Sequence, residues 1–380
     1  MIRSAAVAAL LVLTFAAPAR SAETTFSGSV FVDMTAVPAA AGNAALMLAL
    51  DVEGLARDSK FAAVLDTDTL RLSYENLRLA ERVWFGVYGE GEVIFAALLP
   101  NYFQNGELIP ERGFSAAYLG GGLDLTLSPH PEHWIRVGVA ARNWFFSENA
   151  NTSDALTLPP NQLITTPSLG YTYWGFREAS DFSERQRVFP RVLGAAFGLQ
   201  ASVLLRGDDS AWGATDSSFE PVDTRNDPDG QSIRLRAWFL GGTWITNGIR
   251  WQFDHRAAFG IGEDDLSRDP VGATNRYVTP IAGMPWAALL SERYVSGQWS
   301  WHAPFTRSHE AGVMLGGAYV DDLERTGDSS SGAVFGGGGF VDLRFGDWQV
   351  DARVGWTPTL STGEDSANGV SFAFGAGWGG

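Results

Sequence analysis

Trp348-Gln349-Val350-Asp351-Ala352-Arg353-Val354-Gly355-Trp356 is the stretch on which the fold turns. Trp348, Val350, Ala352, Val354 and Trp356 are apolar, and Gln349, Asp351, Arg353 and Gly355 fall between them. A period of two marks a β-strand, because successive side chains leave on opposite faces. Ile249, Trp251, Phe253 and His255 alternate in the same way with Arg250, Gln252, Asp254 and Arg256. So do Ile233, Leu235, Ala237 and Phe239 with Arg234, Arg236 and Trp238, and Val341, Leu343 and Phe345 with Asp342 and Arg344. Leu46, Leu48, Leu50 and Val52 alternate with Met47, Ala49, Asp51 and Glu53.

A soluble sandwich also alternates, but two features favour a membrane barrel. The polar face mixes Arg with Asp and Glu, which suits charges paired across neighbouring strands of a closed lumen. The strands also reach about ten residues or more, the length needed to cross a bilayer at a tilt. Aromatic residues gather near strand ends, among them Trp134, Trp144, Tyr171, Trp174, Trp299, Trp348, Trp356 and Trp378, as the girdles of such a barrel require. The expected class is all-β, a transmembrane antiparallel up-and-down β-barrel of about 16 strands.

Composition agrees. The chain has 44 Gly, 12% aromatic residues and no Cys, and its mean hydropathy is −0.03. A helical membrane protein would be far more apolar, so spanning falls to strands with unlike faces. Arg3, the apolar run Ala5 to Ala17 and the small residues Ala17, Ala19 and Ala22 come in the order of a secretory signal. Residues 1–22 are therefore expected to be a signal peptide and 23–380 the barrel, placed in the outer membrane of a Gram-negative-type bacterium. The formal charge is −16, or −18 without Arg3 and Arg20, which argues against a nucleic-acid partner. Outer-membrane lipid and lipopolysaccharide are the expected surroundings.

Loops alternate short and long. Short turns fall at Ser128–His133, Asn247-Gly248 and Gly346-Asp347, and longer polar segments at Leu99–Gly113, Ser147–Thr165, Arg206–Gln231, Gly262–Ala288, Asp321–Gly332 and Thr357–Gly369. Barrels of this kind keep turns short on the periplasmic side. The charge-rich Arg177–Phe189 connection breaks that rule. With both ends periplasmic the strand number must be even, so Lys60–Leu65 must be a strand turning through Asp66–Thr69 into Leu70–Tyr74. Phe26–Met34 should close the barrel on Val370–Trp378. Gly28 with Gly375, Gly377, Gly379 and Gly380 predicts a weakly packed seam.

The last third, Tyr277 to Trp378, resembles the bacterial surface antigen superfamily of BamA/TamA-like outer-membrane β-barrels. The tip Ile281-Ala282-Gly283-Met284-Pro285-Trp286 stands where that family carries a Val-Arg-Gly-aromatic motif on its sixth outer loop. Arg293-Tyr294-Val295, the exit Ala303-Pro304-Phe305, the run Gly336 to Gly339, the exit Trp356-Thr357-Pro358 and the strand Val370 to Trp378 follow in family order. The family's tip arginine is Ala282 here, and no carboxylate falls within Val313–Gly317, where its partner belongs. The expected mature chain begins directly with a strand, with no periplasmic recruiting domains. The resemblance implies a protein insertion, translocation or scaffold barrel acting with a separate periplasmic partner. The alternative is a passive porin or uptake channel for small solutes.

Site chemistry is sparse, and no cofactor or metal motif is complete. His130-Pro131-Glu132-His133 spaces two imidazoles around a proline turn, with no further His or Cys nearby as a third zinc ligand. Ser308-His309-Glu310 lacks a nucleophile elbow, and neighbouring strand residues point to opposite faces, so the expectation is no enzyme. Asp227-Pro228-Asp229-Gly230 and Glu263-Asp264-Asp265 read as solvated loop tips. The functional-looking set is the lumen charges Arg234, Arg236, Arg250, Asp254, Arg256, Asp342, Arg344, Asp351 and Arg353, with Arg71, Glu75, Asp124, Arg136 and Arg142. They pair to hold the wall, or they set ion selectivity and grip a plug. The apolar tip Ile281 to Trp286, bracketed by Pro280 and Pro285, is expected to fold inward, helped by Arg234, Arg236, Arg250 and Arg256 meeting Glu263, Asp264 and Asp265.

Overall fold

Sixteen antiparallel strands close on themselves in sequence order. They are β1 (Glu23–Thr35), β2 (Asn43–Glu53), β3 (Lys60–Asp66), β4 (Thr69–Ala80), β5 (Val83–Leu99), β6 (Phe114–His130), β7 (His133–Ser147), β8 (Gln162–Ser180), β9 (Arg191–Arg206), β10 (Gln231–Thr246), β11 (Ile249–Ile261), β12 (Arg293–Pro304), β13 (Glu310–Glu324), β14 (Ser330–Phe345), β15 (Trp348–Thr357) and β16 (Gly369–Gly379). The computed structural model describes residues 23–35, 43–55, 59–66, 69–99, 103–104, 107–108, 113–150, 152–180, 191–214, 228–246, 248–264, 266–272, 279–284, 289–324, 330–358 and 369–379. The expected signal segment 1–22, most of the Arg177–Phe189 connection and Asp265, Pro285 and Trp286 lie outside these residues.

The period-two reading holds strand by strand. On β15, Trp348, Val354 and Trp356 are exposed, while Asp351, Arg353 and Thr357 are buried. The exposed set continues around the wall through Leu50, Leu72, Leu123, Val137, Leu169, Leu199, Leu235, Phe259, Val295, Leu315, Phe335 and Phe372. Such a continuous apolar outer band has no stable place in water and is the face a bilayer covers. Cysteines placed one at a time from 348 to 356 should react with a water-soluble reagent on every second residue. Val354→Arg should destabilise the barrel by about 2–4 kcal/mol if the residue sits near the midplane. Labelling without a period of two would sink the assignment.

Some of the glycines and aromatic residues are matched across strands. Gly28 pairs directly with Trp378, Gly122 with Tyr88, Gly198 with Trp238, and Gly312 with Phe340. In each pair the ring occupies the space a Cβ on the glycine would take. A ring laid flat over its cross-strand neighbour buries apolar area on both faces of the wall.

The seam corrects one expectation. β1 and β16 do pair, from Ser27↔Gly379 to Thr35↔Ser371, but the seam is not weakly packed. This ladder is nearly as long as the β15–β16 ladder beside it. Gly28 does not loosen it: the Trp378 indole covers that glycine and contacts Phe26 and Trp348, at centroid distances of 6.4 and 5.3 Å. Lys60–Asp66 is the strand that parity required, and its partner is β4, with Leu65 opposite Leu70.

Candidate functional site

The β11–β12 connection is the sixth loop at the long-loop end, and five strands follow it. It does not stand in solvent. Glu263, Asp264, Ser267, Asp269, Val271, Thr279, Ile281, Ala282 and Met284 are all buried. Asp269–Val271 and Leu289–Ser291 form a small hairpin at its base, and the chain between them reaches the inner wall.

Two kinds of contact hold the loop. The first is apolar. Ile281, Met284 and Val271 pack with Ala258, Tyr294, Ala318, Val320 and Val334 from the inner faces of β11 to β14. Glycine on the wall makes room for the tip: a Cβ on Gly336 would overlap the Ala282 carbonyl, and a Cβ on Gly355 would overlap the Gly283 amide. Gly283 takes φ +87°, a left-handed conformation that favours glycine. Its amide N–H donates to Ser371 Oγ on β16 at 3.1 Å.

The second contact is ionic. Arg234 donates to Glu263 at 2.5 Å and to Asp269 at 3.1 Å, and Arg236 also donates to Asp269. Arg206 on β9 donates to Asp264 Oδ1 at 2.8 Å, and the Trp212 indole N–H donates to Asp264 Oδ2 at 3.2 Å. Trp212 is buried with Phe114, Phe146 and Leu156, so the base of this loop is tied into the packing of its neighbours. Burial outweighs the pull of Arg234 and holds the Glu263 carboxyl above the ordinary carboxylate range.

The predicted lumen charges divide. Arg234 and Arg236 meet the loop. Arg250 bonds Glu310 and Gln252, each at 2.6 Å, its Nη2 lies 3.0 Å from His302 Nδ1, and Arg256 pairs with Asp254 at 2.9 Å. These partners lie on the wall; Asp265, one of the loop acids predicted to meet both arginines, lies outside the described residues. Arg353 pairs with Asp351 at 2.8 Å and Arg344 with Asp342 at 3.7 Å. Glu90 pairs with Arg142 at 2.7 Å and with Arg71 at 3.8 Å, and Arg136 lies 3.7 Å from Asp124.

Sequence reasoning missed Arg206, Asp269, Ser371 and the wall glycines as partners of the loop. It also looked past Glu132, whose carboxylate lies within 4.8 Å of the ligand atoms of His130 and His133 and completes a group of three. Ser308-His309-Glu310 does not assemble: the His309 ring accepts the Arg344 amide N–H at 3.1 Å, while Glu310 turns to His302. On β13 the inward residues at 314 and 316 are Met314 and Gly316, so nothing there replaces the family's acidic partner.

No protein-family model matches the chain, and no curated protein matches it in sequence. Solved structures do. A BamA from Haemophilus ducreyi lacking POTRA domains 1–3 superposes with a TM-score of 0.63 at 10% identity, over 94% of this chain and 70% of that one. CdiB from Escherichia coli gives 0.56 at 12% identity, and CdiB from Acinetobacter baumannii 0.53 at 11%. This chain spans 63% and 60% of those two CdiB chains. The fold of this protein is the barrel fold shared by BamA and CdiB.

Proposed function

We propose that this protein is an outer-membrane barrel of the bacterial surface antigen superfamily that plugs itself with its sixth long loop. Its work is protein insertion, translocation or scaffolding, done with a separate periplasmic partner. The observation that supports this reading is the loop tip Ile281-Ala282-Gly283-Met284 lodged against Gly336, Gly355 and Ser371 on the inner wall. A loop held by buried apolar contacts and three buried acids is built to stay inside. Outer-membrane lipid, including lipopolysaccharide, covers the outside. A furrow of about 910 Å³ lined by Leu199, Ala201, Leu235, Ala237, Ala257 and Phe259 suits acyl chains, with Arg293 and Asp321 at its rim.

Single-channel recording in a planar bilayer tests the plug. The wild-type barrel should conduct little, and deleting residues 280 to 285 should raise its conductance while heat-modifiable gel mobility reports an intact barrel. A large, steady, ion-selective conductance in the wild type would favour the passive porin instead. So would a conductance that the deletion leaves unchanged.

A further inference from the structure

Near the short-turn end of β12, three side chains on the inner wall are joined in one line. Ser300 and His302 are two residues apart and so share a face. The Ser300 hydroxyl lies 2.8 Å from His302 Nε2, and Glu310 Oε1 lies 2.8 Å from His302 Nδ1. Glu310 reaches the ring diagonally from β13, because the residue directly opposite His302 is Gly312, which has no side chain to intervene. Phe340 packs on the imidazole at 4.6 Å and fixes its plane. His302 and Glu310 are buried, whereas Ser300 is only half-buried.

We propose that Ser300, His302 and Glu310 form a nucleophile, base and positioning carboxylate that take the acyl group of a small carboxylic ester entering from the short-turn mouth. Nδ1 lies 2.8 Å from Glu310 Oε1, which when ionised can only accept, and 3.0 Å from Arg250 Nη2, which can only donate; in the proposed active tautomer the proton sits on Nδ1 and bonds to the nearer Glu310. That leaves the Nε2 lone pair to receive the Ser300 proton, the arrangement an activated serine requires. Ser300 Oγ forms a bond to the ester carbonyl carbon as its proton passes to Nε2. The tetrahedral intermediate collapses by breaking the bond to the alcohol oxygen, which leaves with the proton from Nε2. The acyl group stays on Oγ until water, deprotonated by the same nitrogen, releases it as a carboxylic acid.

The developing oxyanion needs a donor, and Gln252 is placed to supply one. It lies directly opposite Ser300 in the β11–β12 register. Its side-chain carbonyl is taken by Arg250 Nη1 at 2.6 Å, which leaves the amide N–H groups for a ligand. Arg250 also donates to Glu310 at 2.6 Å and lies 3.0 Å from Nδ1. A cation this close opposes positive charge building on the imidazole. Acylation is therefore slow, and covalent capture is a better readout than turnover.

The test uses the full-length folded barrel and a fluorophosphonate probe, which Ser300 Oγ attacks at phosphorus with loss of fluoride. Label should appear on Ser300 of the tryptic peptide Tyr294 to Arg307, with fragment ions separating it from Ser296. Unfolding in denaturant should abolish it. Ser300→Ala should give none, and His302→Gln and Gln252→Ala should each slow labelling by about 100-fold or more. Ser308→Ala should change nothing. Each variant must first show the heat-modifiable mobility of the wild type, so that loss of label is not loss of fold. p-Nitrophenyl butyrate should release a burst of nitrophenolate that Ser300→Ala lacks. A folded wild type that takes no label, or one labelled equally fast in Ser300→Ala or His302→Gln, would overturn the proposal and leave the three residues as a wall contact.

Discussion

Gly355→Val is expected to drive the tip of the sixth loop off the wall while leaving the barrel closed. The new side chain would occupy the space of the Gly283 amide and the Ala282 carbonyl carbon, both backbone atoms that cannot rotate aside. Relief requires the tip to withdraw, which re-exposes Ile281 and Met284, both fully buried in the wild type. Each is worth about 1.5–3 kcal/mol of burial, so docking loses several kcal/mol. In a Met284→Cys background, a membrane-impermeant thiol reagent should modify the cysteine only when Gly355→Val is also present. Gly337→Val is the control. It adds the same bulk to the outward face, where the nearest atom is the flexible end of Leu315. A cysteine at 284 that stays protected in Gly355→Val would show that the tip does not depend on this notch.

Arg234→Ala should cost about 3–5 kcal/mol of docking, because it leaves the Glu263 carboxylate buried without the arginine it pairs with and takes from Asp269 one of its two arginines, Arg236 remaining. Arg136→Ala should cost under about 1 kcal/mol, since that side chain is exposed and 3.7 Å from Asp124. The Arg234→Ala defect should also depend on pH. Glu263 already holds its proton more tightly than a free carboxyl, and without Arg234 it will hold it more tightly still. A carboxyl whose docked pKa lies above its free value favours docking below the free pKa, and that contribution fades as pH rises through the docked value. Open-channel events in Arg234→Ala should therefore be most frequent at neutral pH and rarer toward about pH 5. Events that become more frequent on acidification would mean that Glu263 does not govern the loop.

The barrel was legible in the chain because its wall has two unlike solvents. Each β15 side chain must suit either the outer apolar band or the filled interior, and that choice is written at alternate positions from Trp348 to Trp356. Strand number followed from turn length and parity, which is why the weakly patterned Lys60–Asp66 could be placed. The inward turn of the sixth loop was also readable, since Ile281 and Met284 have no favourable place in water. Partner choice was less so. Arg234 and Arg250 both face inward, but Arg234 stands at the long-loop end of β10 opposite Gly260 and grips the loop, whereas Arg250 stands at the short-turn end of β11 opposite Trp244 and grips Glu310.

The sequence by itself determined the element type, the two faces, the even strand count and the loop most suited to entering the pore. These depend on neighbours a few residues away along the chain, where covalent geometry sets the spacing. The tertiary structure alone decided that Asp264 meets Arg206, 58 residues earlier, that Gly283 fits the notch of Gly336 and Gly355, and that Trp378 closes the seam over Gly28. It also brought Glu310 to His302, rather than to the adjacent His309. Those pairings depend on register, on strand tilt and on which glycines leave space. Such quantities exist only after every strand has found its neighbour and the sheet has closed.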